Sequence, residues 1–297
     1  MELIVAGATS YIGKRFISFY HNKYRILALG RNENKLRKLF SKLEVEYMTY
    51  DSFFRNNGIV KDYKILINFA FPRNPDIDNI IQAFDFTSML YSISVNFGVN
   101  KIINISSQSV YDYQRVIPAT EDDLPKPFSL YGIAKYYSES YLCEFSMKNN
   151  IEYLNIRLGS VIGPEFNQRF INKLIINFMN GNPIEIIDNG YKHSFIFIDD
   201  IVQNLNQVIL SDIKWNDNYN IGSDNYYTIS EVMNMIMKIV SNGKSDIISK
   251  KESLDKIPFT NRISNDKIKK FLDNYYDISL EEAISKLYLH QSKLYLC

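Results

Sequence analysis

Cysteine is nearly absent from this chain: Cys143 and Cys297 are the two in 297 residues. Two cysteines build no disulfide framework, so a reducing, cytoplasmic setting is expected. Histidine is almost as scarce. His21, His193 and His290 stand far apart, and neither they nor the scattered acids show metal-ligand spacing, so no metal is expected. No apolar run reaches the length of a membrane span. A first strand expected from Glu2 leaves no room for a leader. Charge of one sign is missing too. With 34 Lys and Arg against 33 Asp and Glu, the net charge of +1 argues against nucleic acid or a membrane surface as a partner. There is no internal repeat, low-complexity linker or block of like charge. The abundant tyrosine (22 residues), together with Ile, Asn and Lys, reads as base-composition bias of the gene. No aromatic or lysine is therefore assigned a role on its type alone.

What is present is a rhythm. Short apolar runs at Leu3–Ala6, Arg25–Leu29, Val45–Tyr50, Ile65–Ala70, Lys101–Ser106 and Glu152–Leu158 alternate with helical patterns at Ile12–His21, Glu33–Lys42, Asp78–Phe97 and Tyr131–Asn149. That alternation predicts an α/β fold, a Rossmann-like doubly wound parallel sheet covered on both faces. After Gly163-Pro164 the pattern becomes irregular. Helices are expected at 170–179, 199–210, 230–241, 266–271 and 280–286, with short strands at 184–187 and 194–197. The expected division is a dinucleotide-binding domain over 1–165 and a smaller α/β substrate lobe over 166–297, with about 195–225 returning to the core.

Gly7 stands where the first strand turns into a helix, and Gly13 follows six residues on. A turn of this kind tolerates positive φ, and the helix N-terminus offers free N–H groups and partial positive charge to a pyrophosphate. Thr9, Ser10, Tyr11 and Ile12 lie within it. The second strand ends Gly30-Arg31-Asn32, without the carboxylate that usually holds both ribose hydroxyls of NAD. Arg31 suits a 2′-phosphate, so NADP is favoured and NAD kept as the alternative. Lys14 and Arg15 add positive potential nearby.

Tyr131 and Lys135, four apart, share one helical face. A phenol with a pKa of about 10 is a poor base at neutral pH, and a neighbouring ammonium favours its ionised form. The spacing alone is weak among so many tyrosines. Ser107 gives it context, because it lies at the carboxyl edge of a strand, where ligands bind in such sheets.

Gly7-Ala-Thr-Ser-Tyr-Ile-Gly13, Ser106-Ser107-Gln-Ser-Val-Tyr111 and Tyr131-Gly-Ile-Ala-Lys135 resemble the extended short-chain dehydrogenase/reductases that act on nucleotide sugars. The resemblance continues through Arg157–Pro164, Phe195–Asp200 and Tyr219–Gly222, so it covers nearly the whole chain. It implies a catalytic set of Ser107, Tyr131 and Lys135. It also places Asp51 and Ser52 by the adenine, Ala70 by the pyrophosphate, and Ser160 and Val161 by the nicotinamide. Substrate contacts would fall to Ser107, Gln108, Arg169, His193 and Arg262. His193 stands where many relatives carry an arginine for the substrate diphosphate, and imidazole is a weaker, pH-dependent substitute.

Departures narrow the chemistry. Ser10 replaces the usual third glycine. Gln108-Ser109 replaces the Asp-Glu pair of 4,6-dehydratases, so dehydration is not expected. Gln108 and Glu165 replace the cysteine and histidine of fucose synthases. The stretch Pro258–Lys267 is weakly similar to the C-terminal segment of dTDP-4-dehydrorhamnose reductases. These features lean toward an NADPH-consuming 4-keto reductase in surface-polysaccharide sugar synthesis. The alternatives are an NAD-dependent 4-epimerase, a non-catalytic NADP-binding sensor and a reductase of a steroid- or flavonoid-like alcohol. A homodimer through the helix at Asp78–Phe97 is expected. Cys143 reads as core, His21 and His290 as surface, and Asp199-Asp200 as a helix cap.

Overall fold

A computed structural model describes residues 1–55, 62–72, 76–240, 246–251 and 259–295. Position 241, where a helix was expected to end, and Pro258 and Cys297 lie outside the described residues.

The chain forms two compact units. The first comprises Met1–Tyr111, Pro125–Arg157 and Ile213–Tyr219. Its elements run β1 (Glu2–Ala6), α1 (Tyr11–Tyr20), β2 (Arg25–Gly30), α2 (Glu33–Phe40), β3 (Glu46–Thr49), α3 (Tyr50–Arg55), β4 (Ile65–Asn68), α4 (Ile77–Asn96), β5 (Lys101–Ser107), α5 (Leu130–Asn149) and β6 (Glu152–Leu158). A single 3-10 turn at Gln108–Val110 follows β5. The remaining elements are β7 (Val161–Ile162), α6 (Phe170–Met179), β8 (Ile184–Asp188), β9 (Ile196–Phe197), α7 (Ile198–Leu210), β10 (Asp217–Ile221), α8 (Ile229–Ile239), β11 (Ile247–Lys251), α9 (Asp266–Lys269) and α10 (Leu280–Tyr295).

The central sheet has seven strands in the order β10-β6-β5-β4-β1-β2-β3. β1 pairs in parallel with β2 (Ala6 opposite Leu29) and with β4 (Ala6 opposite Asn68). β2–β3 and β4–β5 are parallel as well. Every residue of β4, and all of β1 after Glu2, is buried, as a strand covered on both faces requires. The doubly wound α/β expectation is met. Chain order reverses beside β1, with β2 on one side and β4 on the other, and ligand crevices form at such a switch point. Ile4, Leu27, Phe53, Leu66, Leu90, Tyr91 and Phe97 form a fully buried core under this sheet. Each such side chain contributes about 1.5–3 kcal/mol.

Several boundaries differ from the sequence reading, and two of them have a clear local cause. β3 stops at Thr49, because the Thr49 hydroxyl accepts the Ser52 N–H at 3.2 Å and turns Tyr50 into the first residue of a helix. The last helix runs nine residues beyond 286, to Tyr295. Buried Ala283, Ile284, Leu287 and Gln291 supply its inner stripe, and a Glu282–Lys286 pair at 2.9 Å lies outside.

The second unit comprises Asp112–Leu124, Leu158–Asp212 and Asn220–Cys297. Within it β7 pairs with β9, and β8 with β11, both in parallel. The β8–β11 ladder had no counterpart in the sequence reading. α8 opens with a capping box of Thr228 and Glu231.

Candidate active site

β1 ends in a turn whose Gly7 has φ +72°. A Cβ there would lie 2.7 Å from the Ala70 nitrogen and 2.8 Å from the Phe69 carbonyl carbon, so only glycine lets the turn approach the end of β4. Ser10 caps α1: its Oγ accepts the Gly13 N–H at 3.1 Å. Ala70 is held from below, its N–H donating to Asn68 Oδ1 at 3.0 Å. At the end of β2, Asn32 caps α2 by accepting the Lys35 N–H at 2.9 Å.

These segments enclose a cleft of about 450 Å³. Its walls include Gly7, Thr9, Ser10, Gly30, Arg31 and Lys35, and on the β4–α4 side Ala70, Phe71 and Phe86. Among the described lining residues, Arg31 and Lys35 carry the charge and none is a carboxylate. A glycine cradle that a Cβ would fill, a helix N-terminus and two cations fit the phosphates of a dinucleotide.

Tyr50 also lines this cleft, and sequence reasoning missed it. Its phenol oxygen accepts the Gly7 N–H at 2.6 Å. Burial pushes the Tyr50 pKa up to about 12, against the opposing pull of the Gly7 N–H and Arg31, so the ring is neutral at physiological pH. Asp51 and Ser52, expected beside the adenine, are exposed on α3, next to Tyr50. Tyr11 and Ile12 stand half-buried in the first turn of α1.

Tyr131 and Lys135, expected from the sequence to act as a proton-transfer pair, both lie on α5. Ser129 caps this helix by accepting the Gly132 N–H at 3.0 Å. A Cβ on Gly132 would come within 2.2 Å of the Ser109 carbonyl oxygen. That close approach clamps the start of α5 onto the 3-10 turn after β5. In that turn the Ser107 hydroxyl accepts the Ser109 N–H and donates to Ser109 Oγ, both at 3.2 Å. Gln108 is half-buried there, its carbonyl accepting the Tyr111 N–H at 3.1 Å.

Lys135 is 5% exposed. Its Nζ donates to the Ile105 carbonyl at 2.7 Å and lies 4.0 Å from the Phe71 ring centroid and 5.9 Å from that of Tyr131. Burial pulls its pKa down to about 7, and Glu139, one turn along α5, works in the opposite direction. Glu139 is committed elsewhere. It takes two hydrogen bonds from Arg157, at 3.0 and 2.7 Å, and one from Ser106 at 2.5 Å, while Arg157 also donates to the Tyr111 oxygen at 2.9 Å.

A family model described as the NAD dependent epimerase/dehydratase family matches residues 3–222. The chain belongs to this family. The resemblance to extended short-chain dehydrogenase/reductases is thereby confirmed as an assignment to enzymes of this class. A putative UDP-glucose 4-epimerase of Methanocaldococcus jannaschii is 23% identical over 256 residues, covering 79% of this chain and 81% of that protein. A dTDP-4-dehydro-6-deoxyglucose reductase of Escherichia coli is 27% identical over 168 residues, and the match spans 54% of this chain and 51% of that protein. The fold matches the crystal structure of UDP-glucuronic acid 4-epimerase from Bacillus cereus in complex with NAD, with a TM-score of 0.82 at 20% identity over 99% of this chain and 100% of that one.

The remaining residues expected at the site of this epimerase/dehydratase family member lie in its second unit. Ser160 Oγ accepts from Asn261 Nδ2 at 3.1 Å, and Val161 is buried in β7. Arg169 starts α6 with its guanidinium 4.8 Å from the Phe166 ring centroid. Asn172, in the first turn of α6, is buried and donates to the Gly163 carbonyl at 3.0 Å. The Arg262 guanidinium lies 4.1 Å over Tyr226. His193 forms an antiparallel bridge with Tyr227. Burial lowers its pKa against the pull of Asp188, which favours neutral imidazole. Asp199 and Asp200 supply no cap to α7. Asp200 is instead buried and accepts the Ile278 N–H at 2.9 Å. Among the described residues no cluster of His, Cys, Asp or Glu suits a metal, and no helix is long and apolar enough to cross a membrane.

Proposed function

We propose that this enzyme reduces a keto group on a nucleotide-activated sugar at the expense of NADPH. The observation that carries the reading is the pair Arg31 and Lys35 in a cleft with no carboxylate among its described lining residues, since two cations suit a 2′-phosphate and leave a bare ribose diol unclaimed. The names of the two curated relatives, a UDP-glucose 4-epimerase and a dTDP-4-dehydro-6-deoxyglucose reductase, support a nucleotide sugar as substrate. The C4 carbonyl is the assigned reacting group.

Gly7, Thr9, Ser10 and Ala70 are assigned to the pyrophosphate, Arg31 with Lys35 to the 2′-phosphate, and Ser160 and Val161 to the nicotinamide end. When bound, the coenzyme supplies the hydride. Tyr131 gives its phenolic proton to the substrate oxygen, and Ser107 donates a hydrogen bond that polarises the same oxygen. Lys135 stabilises the phenolate that remains. Gln108, Arg169, His193 and Arg262 are assigned to the sugar nucleotide.

A second reading, an epimerase that retains NAD, is favoured by the extent of the epimerase match, 79% of this chain against 54% for the reductase. One experiment separates them. With a panel of nucleotide 4-keto sugars, absorbance should show one NADPH consumed per alcohol formed. Interconversion of C4 epimers on retained NAD, with no net NADPH use, overturns the reductase. Arg31→Ala should lower the preference for NADP over NAD by about 10- to 100-fold in dissociation constants measured by fluorescence. An unchanged ratio removes Arg31 from the 2′-phosphate site.

The same reading includes a homodimer through α4 and α5. Ile81 and Met89 on α4 and Ile133 and Tyr137 on α5 are half or more exposed, or nearly so, and the Phe84 and Tyr137 rings bridge the two helices at 4.1 Å. Sedimentation at twice the 34.7 kDa chain mass is expected, and a monomer rejects it.

A further inference from the structure

Phe71 touches both halves of the site in the first unit. It lines the dinucleotide cleft, and its ring faces the Lys135 ammonium at 4.0 Å while meeting Tyr131 edge-on at 5.9 Å and 79°. Its backbone position is determined: the preceding Ala70 is tied to Asn68, and Gly7 packs beneath it. The backbone that carries the ring is therefore anchored at the glycine cradle.

The surroundings of the ammonium are few. β5 offers the Ile105 carbonyl, α5 offers Tyr131 and Glu139, and the Glu139 carboxylate is shared with Arg157 of β6 and with Ser106. A carbonyl, a carboxylate already engaged and an aromatic face are what favour a positive charge at this buried position. The face of a benzene ring carries the negative end of its quadrupole, and a desolvated cation over it is held more firmly than one in water. An aliphatic side chain of similar bulk excludes water equally well and offers no such attraction.

We propose that Phe71 is a positioning residue of the proton-transfer pair, its ring face holding the Lys135 ammonium beside Tyr131. This inference rests on the reading that Tyr131 and Lys135 move the proton. Burial already draws Lys135 toward neutrality near pH 7, so a lost stabilising contact has consequences in the physiological range.

The test is an ultraviolet titration of the tyrosinate band, each protein measured against its Tyr131→Phe partner so that Tyr131 alone is read. In the wild type Tyr131 should ionise below the ordinary phenol value of about 10. Phe71→Leu should move that midpoint up by about one pH unit, and Phe71→Tyr, which keeps the ring face, should restore it. A midpoint that Lys135→Met raises but Phe71→Leu leaves in place overturns the role of Phe71 alone. A wild-type midpoint near 10 that Lys135→Met does not move overturns the proton-transfer reading, and this inference with it.

Discussion

In the first unit the buried charge beside the cleft is a cation, Lys135, 5% exposed and held by a carbonyl and an aromatic ring. In the second unit the corresponding buried charge is an anion, Asp200, 1% exposed, with the Ile278 N–H as its donor. Burial acts on both by the same physics and in opposite senses, drawing Lys135 down to about 7 and pushing Asp200 up to about 6. The surroundings decide what each charge is for. Lys135 faces the ring of Phe71, which lines the cleft, and the ring of Tyr131. Asp200 works with Asn204, whose side chain binds both the N–H and the carbonyl of Tyr276, to tie the 276–278 segment to α7. A perturbed group in a cleft points to chemistry, whereas one locked on a neighbouring loop points to architecture.

The largest effect should come from the ion pair behind Lys135. Glu139→Ala leaves the Arg157 guanidinium buried without its carboxylate and should cost about 3–5 kcal/mol in denaturant unfolding. Replacing both partners, Glu139→Leu with Arg157→Met, should cost less than the single change. If Glu139→Ala costs under about 1 kcal/mol, burial of charge does not distinguish this unit.

The next test sets the two buried charges directly against each other. The Lys135 folded-state pKa lies below its ordinary value, so the ammonium destabilises the fold fully below pH 7, and the cost fades as pH rises toward 10. Lys135→Met should therefore raise stability by on the order of 3 kcal/mol at pH 6, with the gap closing in alkali. The Asp200 pKa is raised, so its carboxylate destabilises the fold fully above pH 6, and the cost fades toward pH 4. Asp200→Asn should give a smaller gain of about 1–2 kcal/mol at pH 7 that closes in acid. Thermal unfolding across pH checks both slopes. Parallel pH profiles for the two variants would break the comparison.

The strand–helix rhythm was legible because a sheet covered on both faces demands continuous apolar runs, and Leu3–Ala6 and Ile65–Asn68 supply them. The phosphate turn was legible because Gly7 carries a backbone angle that few other residues adopt. Tyr50 and Phe71 were not. In a chain with 22 tyrosines and 19 phenylalanines, neither ring carries a local signal that it will face the cleft. Lys35 was hidden for a similar reason, since only the direction of α2 brings it to the same wall as Arg31. The role of Asp200 also escaped, because its partner Ile278 lies 78 residues away in sequence.

Local sequence thus determined the parallel sheet, the glycine turn and the placing of Tyr131 and Lys135 on one helical face, since each depends on backbone sterics or on periods of two and 3.6 residues. Which aromatic ring faces the ammonium, which phenol meets the Gly7 amide and which acid is buried were decided only by long-range packing. Burial and partner distance set those properties, and neither is encoded within a few residues of the group concerned.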